Sequence, residues 1–510
     1  MKRWIGIDLG TTNTVATYFD TNSRVILNDR GERITPSVVS FTDSGVIIGS
    51  AAKHQMLVNP DKTFYNFKVN IGTGISYKVG SRSYRAEDIA SYLLLNIKKN
   101  AEKFLETEVR DVVITVPAYF SEVQRRGVVE AASLAGLDCR EILNEPTAAA
   151  LYYAFEKQID GLFLVYDLGG GTFDVTLLEN QNDTYTVLSI KGENKLGGND
   201  FNHVIEKHVL SNFKIEYIDI DLEDIVLLEQ IRERIEEAKK NLSIMDEVNI
   251  VLPFLDGKHL NYTLRRDDFN FMIREFIDKT INLTNECITD AGIDLERISK
   301  IILSGGSTRI PYVKQRLKEA FPKVEVLDSL NQDEVVASGA GIQAFSLSND
   351  RSLVEFRDVT PYSLGIETRN DGFFVLIERN TPLPVCERKI VTTTNDYQEE
   401  IEVHVLQGEY KRASLNYSIG RLFFSSIQKV LKGIPKIEIL FSLDESGILS
   451  VSAIDLDTNA SRSIEIRITS ASDNRMHRDG VVKFLEGIDS SGVAEDEIEL
   501  FEESILDEID

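Results

Sequence analysis

Two stretches carry the residue types that metal and phosphate chemistry need. Ile5-Gly-Ile-Asp8-Leu-Gly10-Thr11-Thr12-Asn13 is an apolar strand that ends in an Asp and a turn of small, hydroxylated residues. Leu164-Val-Tyr-Asp167-Leu-Gly169-Gly170-Gly171-Thr172-Phe-Asp174 repeats the pattern. A carboxylate at a strand end can hold a hydrated metal ion. The turn beyond it offers backbone N–H groups and hydroxyls to phosphate oxygens. A single such turn is more often than not only a turn. Two copies that share Asp-Leu-Gly, each followed by Thr and a second strand, point to a duplicated unit. Its halves would grip one polyphosphate from both sides. Neither G-x-x-x-x-G-K-[ST] nor G-x-G-x-x-G occurs, so the two commonest phosphate cradles are excluded.

The elements that position these turns follow from periodicity. Up to about residue 345, strand-like and helix-like segments alternate, which is α/β patterning. Val112 to Val116 reads as a buried strand. Ser121 to Ala135 follows as a helix, with Ser121 as N-cap and Gly136 as its stop. Leu228 to Leu242 and Phe269 to Ala291 have helical spacing. Ile301 to Ser304 is again a strand before a Gly turn. Beyond about 350 the period becomes two: Ile401 to Val405, Ile437 to Leu443 and Ile464 to Ile468 alternate apolar with polar, with Asp444-Glu-Ser-Gly447 as a turn. The expectation is an α/β body over 1–349, a linker at 350–358, an antiparallel β domain over 359–470 and an acidic tail over 471–510. In that tail Ile498, Phe501, Ile505 and Ile509 share one helical face, which fits a short docked helix as well as a solvated segment.

Bulk properties remove other classes. At 510 residues the chain needs several cores. A net charge of −26 argues against nucleic acid and anionic membrane as partners. Cys139, Cys287 and Cys386 are far apart and odd in number, so they suggest neither a disulfide framework nor a metal site. No H-E-x-x-H occurs among the six His. No apolar run is long enough to span a membrane, and Lys2-Arg3 leads straight into a strand. A reducing, cytoplasmic setting is expected.

Four motifs together resemble the seventy-kilodalton heat-shock chaperone family, of which DnaK is the bacterial type. They are Asp8 to Asn13, Asn144-Glu145-Pro-Thr-Ala-Ala-Ala150, Asp167 to Asp174, and Gly305-Gly306-Ser-Thr-Arg309-Ile-Pro311. Asp358-Val-Thr-Pro-Tyr-Ser-Leu-Gly-Ile-Glu367 and Val405-Leu-Gln-Gly-Glu409 match the family's substrate-binding part. The segment from Asn59 to Lys68 and the short stretch to Tyr84 are similar to a compact HscC-like subgroup. The resemblance implies an actin-like, two-lobed ATPase followed by a β-sandwich that binds extended peptides.

It also implies roles, position by position. Asp8 and Asp167 would hold Mg²⁺ through water, and Gly10, Thr11, Thr12, Asn13, Gly169, Gly170 and Gly171 would line the phosphates of ATP or ADP. Lys68, Glu145, Asp167, Thr172 and Asp174 would be catalytic, with K⁺ as a further candidate ion. Gly197, Gly198, Glu236, Lys239, Ser243, Gly305, Gly306, Arg309 and Asp333 would complete the nucleotide site. Pro117, Arg125 and Asp358 would relay nucleotide state to the linker. Ile366, Val391, Ile401 and Val403 would form the pocket for an apolar peptide side chain. Inward apolar residues at alternate strand positions are equally the mark of ordinary core.

Several positions depart from the family. Arg369 and Thr394 stand where DnaK has Met and Ala arching over the peptide. Ile401 replaces a smaller Val. Glu141 replaces an Arg that contacts the linker and the J-domain cochaperone. The linker, Leu353-Val-Glu-Phe-Arg357, is less apolar than usual, and only about 40 residues follow the β domain, too few for the family's long helical lid. The leading expectation is an ATP-dependent chaperone for unfolded polypeptides, with a J-domain cochaperone and a nucleotide-exchange factor as candidate partners. A non-catalytic ATP-binding adaptor is the alternative. A small-molecule kinase on the same fold is disfavoured by the tethered β domain.

Overall fold

The structure, a computed structural model, describes residues 3–157, 159–182, 184–216, 225–253, 259–328, 330–349, 355–425, 427–457 and 461–465. It divides into two units, residues 1–42 with 46–468, and residues 43–45 with 469–510. Leu353 and Val354, the last alternating stretch 466–468 and the acidic tail with its expected helix lie outside the described residues. No described helix is long and apolar enough to cross a membrane.

The duplication read from the two Asp-Leu-Gly turns extends to whole sheets. The first sheet has β1 (Ile5–Leu9), β2 (Asn13–Phe19), β3 (Ser23–Val25), β4 (Asp111–Val116) and β5 (Asp138–Asn144) in the order β5-β4-β1-β2-β3. The second has β6 (Gly161–Leu168), β7 (Phe173–Gln181), β8 (Thr184–Glu193), β9 (Ile298–Ser304) and β10 (Glu325–Leu327) in the order β10-β9-β6-β7-β8. In each, the Asp-bearing strand pairs antiparallel with its hairpin partner and parallel with a strand from far down the chain. Alternate residues of β6 enter different cores. Leu162, Leu164, Tyr166 and Leu168 pack on one face, and Phe163 and Val165 on the other. That two-sided burial explains why β6 is apolar without interruption.

Helices cover these sheets. They are α1 (Ala86–Leu105), α2 (Glu122–Leu134), α3 (Glu145–Lys157), α4 (Gly198–Glu216), α5 (Ile225–Asn241), α6 (Arg266–Asp290), α7 (Pro311–Ala320) and α8 (Val335–Ser348). Ser121 caps α2 by accepting from the Gln124 N–H, and Gln124 returns the contact to the Ser121 N–H. α8 crosses α3 so closely that a Cβ on Gly339 would stand 1.8 Å from the Ala148 carbonyl oxygen. Only glycine permits that approach.

The expected linker differs from a free segment. β11 (Glu355–Arg357) adds to the second sheet, parallel to β8. Phe356 stacks on Tyr185 with ring centroids 5.0 Å apart. The open edge of β8 needs hydrogen-bond partners, and Phe356 supplies an apolar anchor; the Glu-Phe-Arg alternation is a three-residue strand pattern too short to stand out.

The β-rich part is a sandwich. One sheet joins β12 (Leu364–Thr368), β13 (Gly372–Ile377), β15 (Glu400–Gln407) and β16 (Tyr417–Ser425); the other joins β14 (Val385–Val391), β17 (Ile437–Leu443), β18 (Leu449–Asp455) and β19 (Ser461–Glu465). Inward residues of both sheets make one core. The sandwich meets α2 through Leu449. Its N–H donates to Glu122 Oε1 at 3.0 Å, and its carbonyl accepts from Arg126. The Glu122 N–H donates to Gln407 Oε1 at 3.0 Å.

Candidate functional site

Asp8 and Asp167 stand at equivalent ends of β1 and β6. Each accepts a hydroxyl from the neighbouring parallel strand: Thr115 at 3.1 Å for Asp8, and Ser304 at 3.0 Å for Asp167. Neither hydroxyl was singled out in sequence, although both follow an apolar run at a strand end. The two turns touch. A Cβ on Gly170 would lie 2.2 Å from Thr12 Oγ1, so glycine there lets the second turn close on the first.

Between the turns lies a cleft of about 1200 Å³. It is bounded by Asp8, Gly10, Thr11, Thr12, Asn13, Lys68, Glu145, Asp167, Gly169, Gly170 and Thr172 on the phosphate side. Gly198, Glu236, Lys239, Ser243, Gly305, Gly306, Arg309 and Asp333 line the rest. Gly171 and Gly197 sit behind this lining: the Leu196 N–H donates to the Gly171 carbonyl, and the Gly197 N–H to Asp200. The Gly198 N–H donates to Gly169 O and the Asn199 N–H to Gly170 O, which fastens the start of α4 to the second turn. Ser307 Oγ donates to the same Gly169 carbonyl at 2.8 Å.

Lys68 is 2% exposed, in a 3₁₀ turn over Phe67–Asn70, and its Nζ donates to Glu145 Oε1 at 2.5 Å. Glu145 opens α3, next to Asn144 at the end of β5. Burial, then the charge of Glu145, raises Asp8 to about 7, against Lys68 and the Thr115 hydroxyl. Asp167 is raised well above its ordinary value by burial and by Glu145 and Asp174. Burial and Glu145 bring Asp174 to about 8, while the Tyr119 N–H, 3.1 Å from Asp174 Oδ1, pulls the other way. Glu145, Asp8 and Asp174 thus share the Lys68 ammonium, with Arg125 also acting on Asp174. A buried set this rich in acid fits a divalent cation with its water shell.

The Glu236–Arg309 end of the cleft is held by ion pairs. Glu236 pairs with Lys239 at 2.7 Å and with Lys240 at 3.1 Å. Burial pushes Glu236 up, but the two ammonium groups outweigh it and hold it down at about 2. Lys239 also donates to the Gly198 carbonyl at 2.9 Å. Arg309 donates to Asp333 at 2.6 Å and to Asn331 at 3.0 Å, which presents a flat guanidinium at the cleft wall.

Of the expected relay residues, Arg125 and Asp358 are joined through Asn144, and Pro117 stands apart. Pro117 ends the β4 segment, and its carbonyl accepts from the Phe120 N–H. Arg125 donates to Asn144 Oδ1 at 2.5 Å; Asn144 Nδ2 and Thr147 Oγ1 donate to Asp358 at 2.9 and 3.0 Å. The expected peptide residues split. Ile366, Ile401 and Val403 are buried in the sandwich core, and Val391 is half-buried beside it. Arg369 Nη2 donates to the Thr394 carbonyl at 3.2 Å, so these two loops meet.

Two overlapping stretches, residues 4–79 and 73–497, match the family model of the Hsp70 protein. The chain belongs to the Hsp70 family. Hsp70 proteins are in general ATP-dependent chaperones and ATPases. They bind ATP or ADP with Mg²⁺, and they bind polypeptide substrates and cochaperones. The match runs through both the cleft and the sandwich of this Hsp70-family chain.

Proposed function

We propose that this chain hydrolyses ATP slowly in the cleft and couples that reaction to binding of extended apolar segments by the sandwich. The division into 1–349, 350–358, 359–470 and 471–510, and membership of a short HscC-like subgroup, belong to the same reading. The observation that carries it is the Lys68–Glu145 pair at 2.5 Å, buried between two touching phosphate turns. The turns bind and orient the phosphates. Lys68 places a fixed ammonium where charge develops on the transferred phosphoryl group. Glu145 orients Lys68 and, with Thr172 and Asp174, positions the attacking water. Mg²⁺, which Asp8 and Asp167 would hold through water, supplies charge neutralisation on the phosphates. Water exclusion follows from the burial of Lys68 and Asp174, each 2% exposed.

Lys68→Ala is expected to leave nucleotide affinity within a few-fold and to lower single-turnover hydrolysis by roughly 10²-fold, the scale for one preorganised charge stabiliser. An unchanged rate would remove Lys68 from the reaction. In the native chain, turnover that responds to an apolar peptide supports the chaperone reading. Bound ATP without turnover would make the chain an adaptor.

A further inference from the structure

Glu141, on β5, projects into a cavity of about 520 Å³ where the α/β body meets the sandwich. Glu122 and Arg125 of α2, Gln343 of α8, the strand and residues Glu355 to Asp358, and the turn at Glu445 to Gly447 form its walls. Gln343 Nε2 donates to both oxygens of Glu141, at 3.2 and 2.9 Å. The charged groups acting on Glu141 are acidic: Glu445 and Asp444 from the sandwich turn, and Asp358 after β11. Of the described cations nearby, Arg125 acts on Asp358 and Asp444, and none pairs with Glu141. Arg125 donates to Ala118 and Asn144, Arg126 to Glu122 and Leu449, and Arg357 to Glu355. Among the described residues Glu141 has no ion pair. A carboxylate faces carboxylates across a seam that everywhere else is joined by hydrogen bonds.

We propose that Glu141 is a proton-operated latch on this seam: protonated, it lets the sandwich pack against the α/β body, and ionised, it repels Asp358, Asp444 and Glu445 and loosens the contact. The latch rests on the proposed coupling only for its consequence in the ATPase cycle. The sign is set by burial. With the seam closed, burial and the facing carboxylates raise Glu141 to about 7. With it open, Glu141 returns toward the ordinary glutamate value of about 4.3. Closure therefore takes up a proton. It strengthens about tenfold from pH 8 to pH 6 and is nearly flat above pH 8. Burial also raises Glu122 and Asp358, but a guanidinium offsets it at each, Arg126 at Glu122 and Arg125 at Asp358, so Glu141 is the group to vary.

Hydrogen exchange of the full chain tests this. The Glu122 and Leu449 amides donate across the seam, so their protection reports its opening. After correction for intrinsic exchange, their protection in the native chain should fall about tenfold between pH 6 and pH 8. Glu141→Gln should hold the higher protection at both pH values, with the β6–β7 amides unchanged as a check on folding. Glu445→Lys, which sets a cation against Glu141, should raise protection at pH 8. A Glu141→Gln profile that follows the native one, or no gain at pH 8 from Glu445→Lys, overturns the latch. No nucleotide or peptide enters the measurement, so its outcome is separate from that of the ATPase assay.

Discussion

Asp8 and Asp174 occupy positions where the ionised form is disfavoured. Burial and neighbouring carboxylates raise them to about 7 and about 8. In the unfolded chain an Asp titrates near 3.9. A folded-state value above the unfolded one means that the folded chain holds protons the unfolded chain has lost. The contribution of these two groups to stability is then full below about 4, falls as pH rises, and is gone above about 8, at up to ~1.4 kcal/mol per group per pH unit. Thermal melts between pH 5.5 and 9 should show this slope. Asp174→Asn should make it shallower, because the amide imitates the protonated acid. A melting temperature that rises with pH over this range would show that these acids are not buried as described. At this scale the sequence was highly informative. Asp8, Lys68, Glu145, Asp167, Thr172 and Asp174 were named from motif context and resemblance; the first five line one cleft, and Asp174 lies outside its lining. Thr115 and Ser304 were missed because a lone hydroxyl at a strand end has no signature until the parallel neighbour is known.

The elements carry these residues through close packing at glycines and through paired strands. α3 holds Glu145 at its first residue, and α8 clamps α3 where Gly339 lies against Ala148. Gly339→Val would drive a branched side chain into a backbone carbonyl 1.8 Å from its Cβ. The expected loss is at least the ~1–3 kcal/mol of ordinary overpacking. Urea unfolding should show it as a lower midpoint, and weaker nucleotide binding should accompany it because α3 shifts. Retention of native stability would mean that the two helices are free to part. The turns obey the same logic of close approach. The sandwich strands were legible by their period of two, and the core is built from that alternation. Periodicity could not say whether Ile366, Ile401 and Val403 face a cavity or a filled core. That depends on what arrives opposite them; here they are buried in one cluster with Ile437, Ile439 and Phe441 of the second sheet.

Across the whole molecule, the α/β body and the sandwich are joined at a seam of side-chain and backbone hydrogen bonds. Tyr362 OH, from the sandwich side, donates to the Tyr119 carbonyl at 3.1 Å, while the Tyr119 N–H holds Asp174. One residue therefore joins Asp174 of the α/β body to Tyr362 of the sandwich side. β11 is the other tie. Phe356→Ala would remove the stack on Tyr185 and an apolar anchor whose burial contributes up to about 1.5–3 kcal/mol. Exchange at the amides of β11 should accelerate at least tenfold, and any stimulation of ATP turnover by peptide should weaken. Unchanged exchange would assign the hold of β11 to its backbone pairing with β8 alone.

The amino-acid sequence by itself determined the duplicated Asp-Leu-Gly turns, the α/β and β periods, the caps and stops of helices such as α2, and the residue types that ATP chemistry requires. These are local properties, set by side-chain type and spacing over a few residues. Three things were decided only in the tertiary structure: the pairing of β11 with β8, the gathering of inward residues from both sandwich sheets into one cluster, and the acidic surroundings of Glu141. Each depends on which distant segment arrives opposite, and a chain's own periodicity carries no record of its partner. The charge of Glu141 could be read at a glance. Its meaning required Asp358 and Glu445 to be brought to the same cavity, with Asp444 acting from the adjoining turn, where burial makes like charges costly.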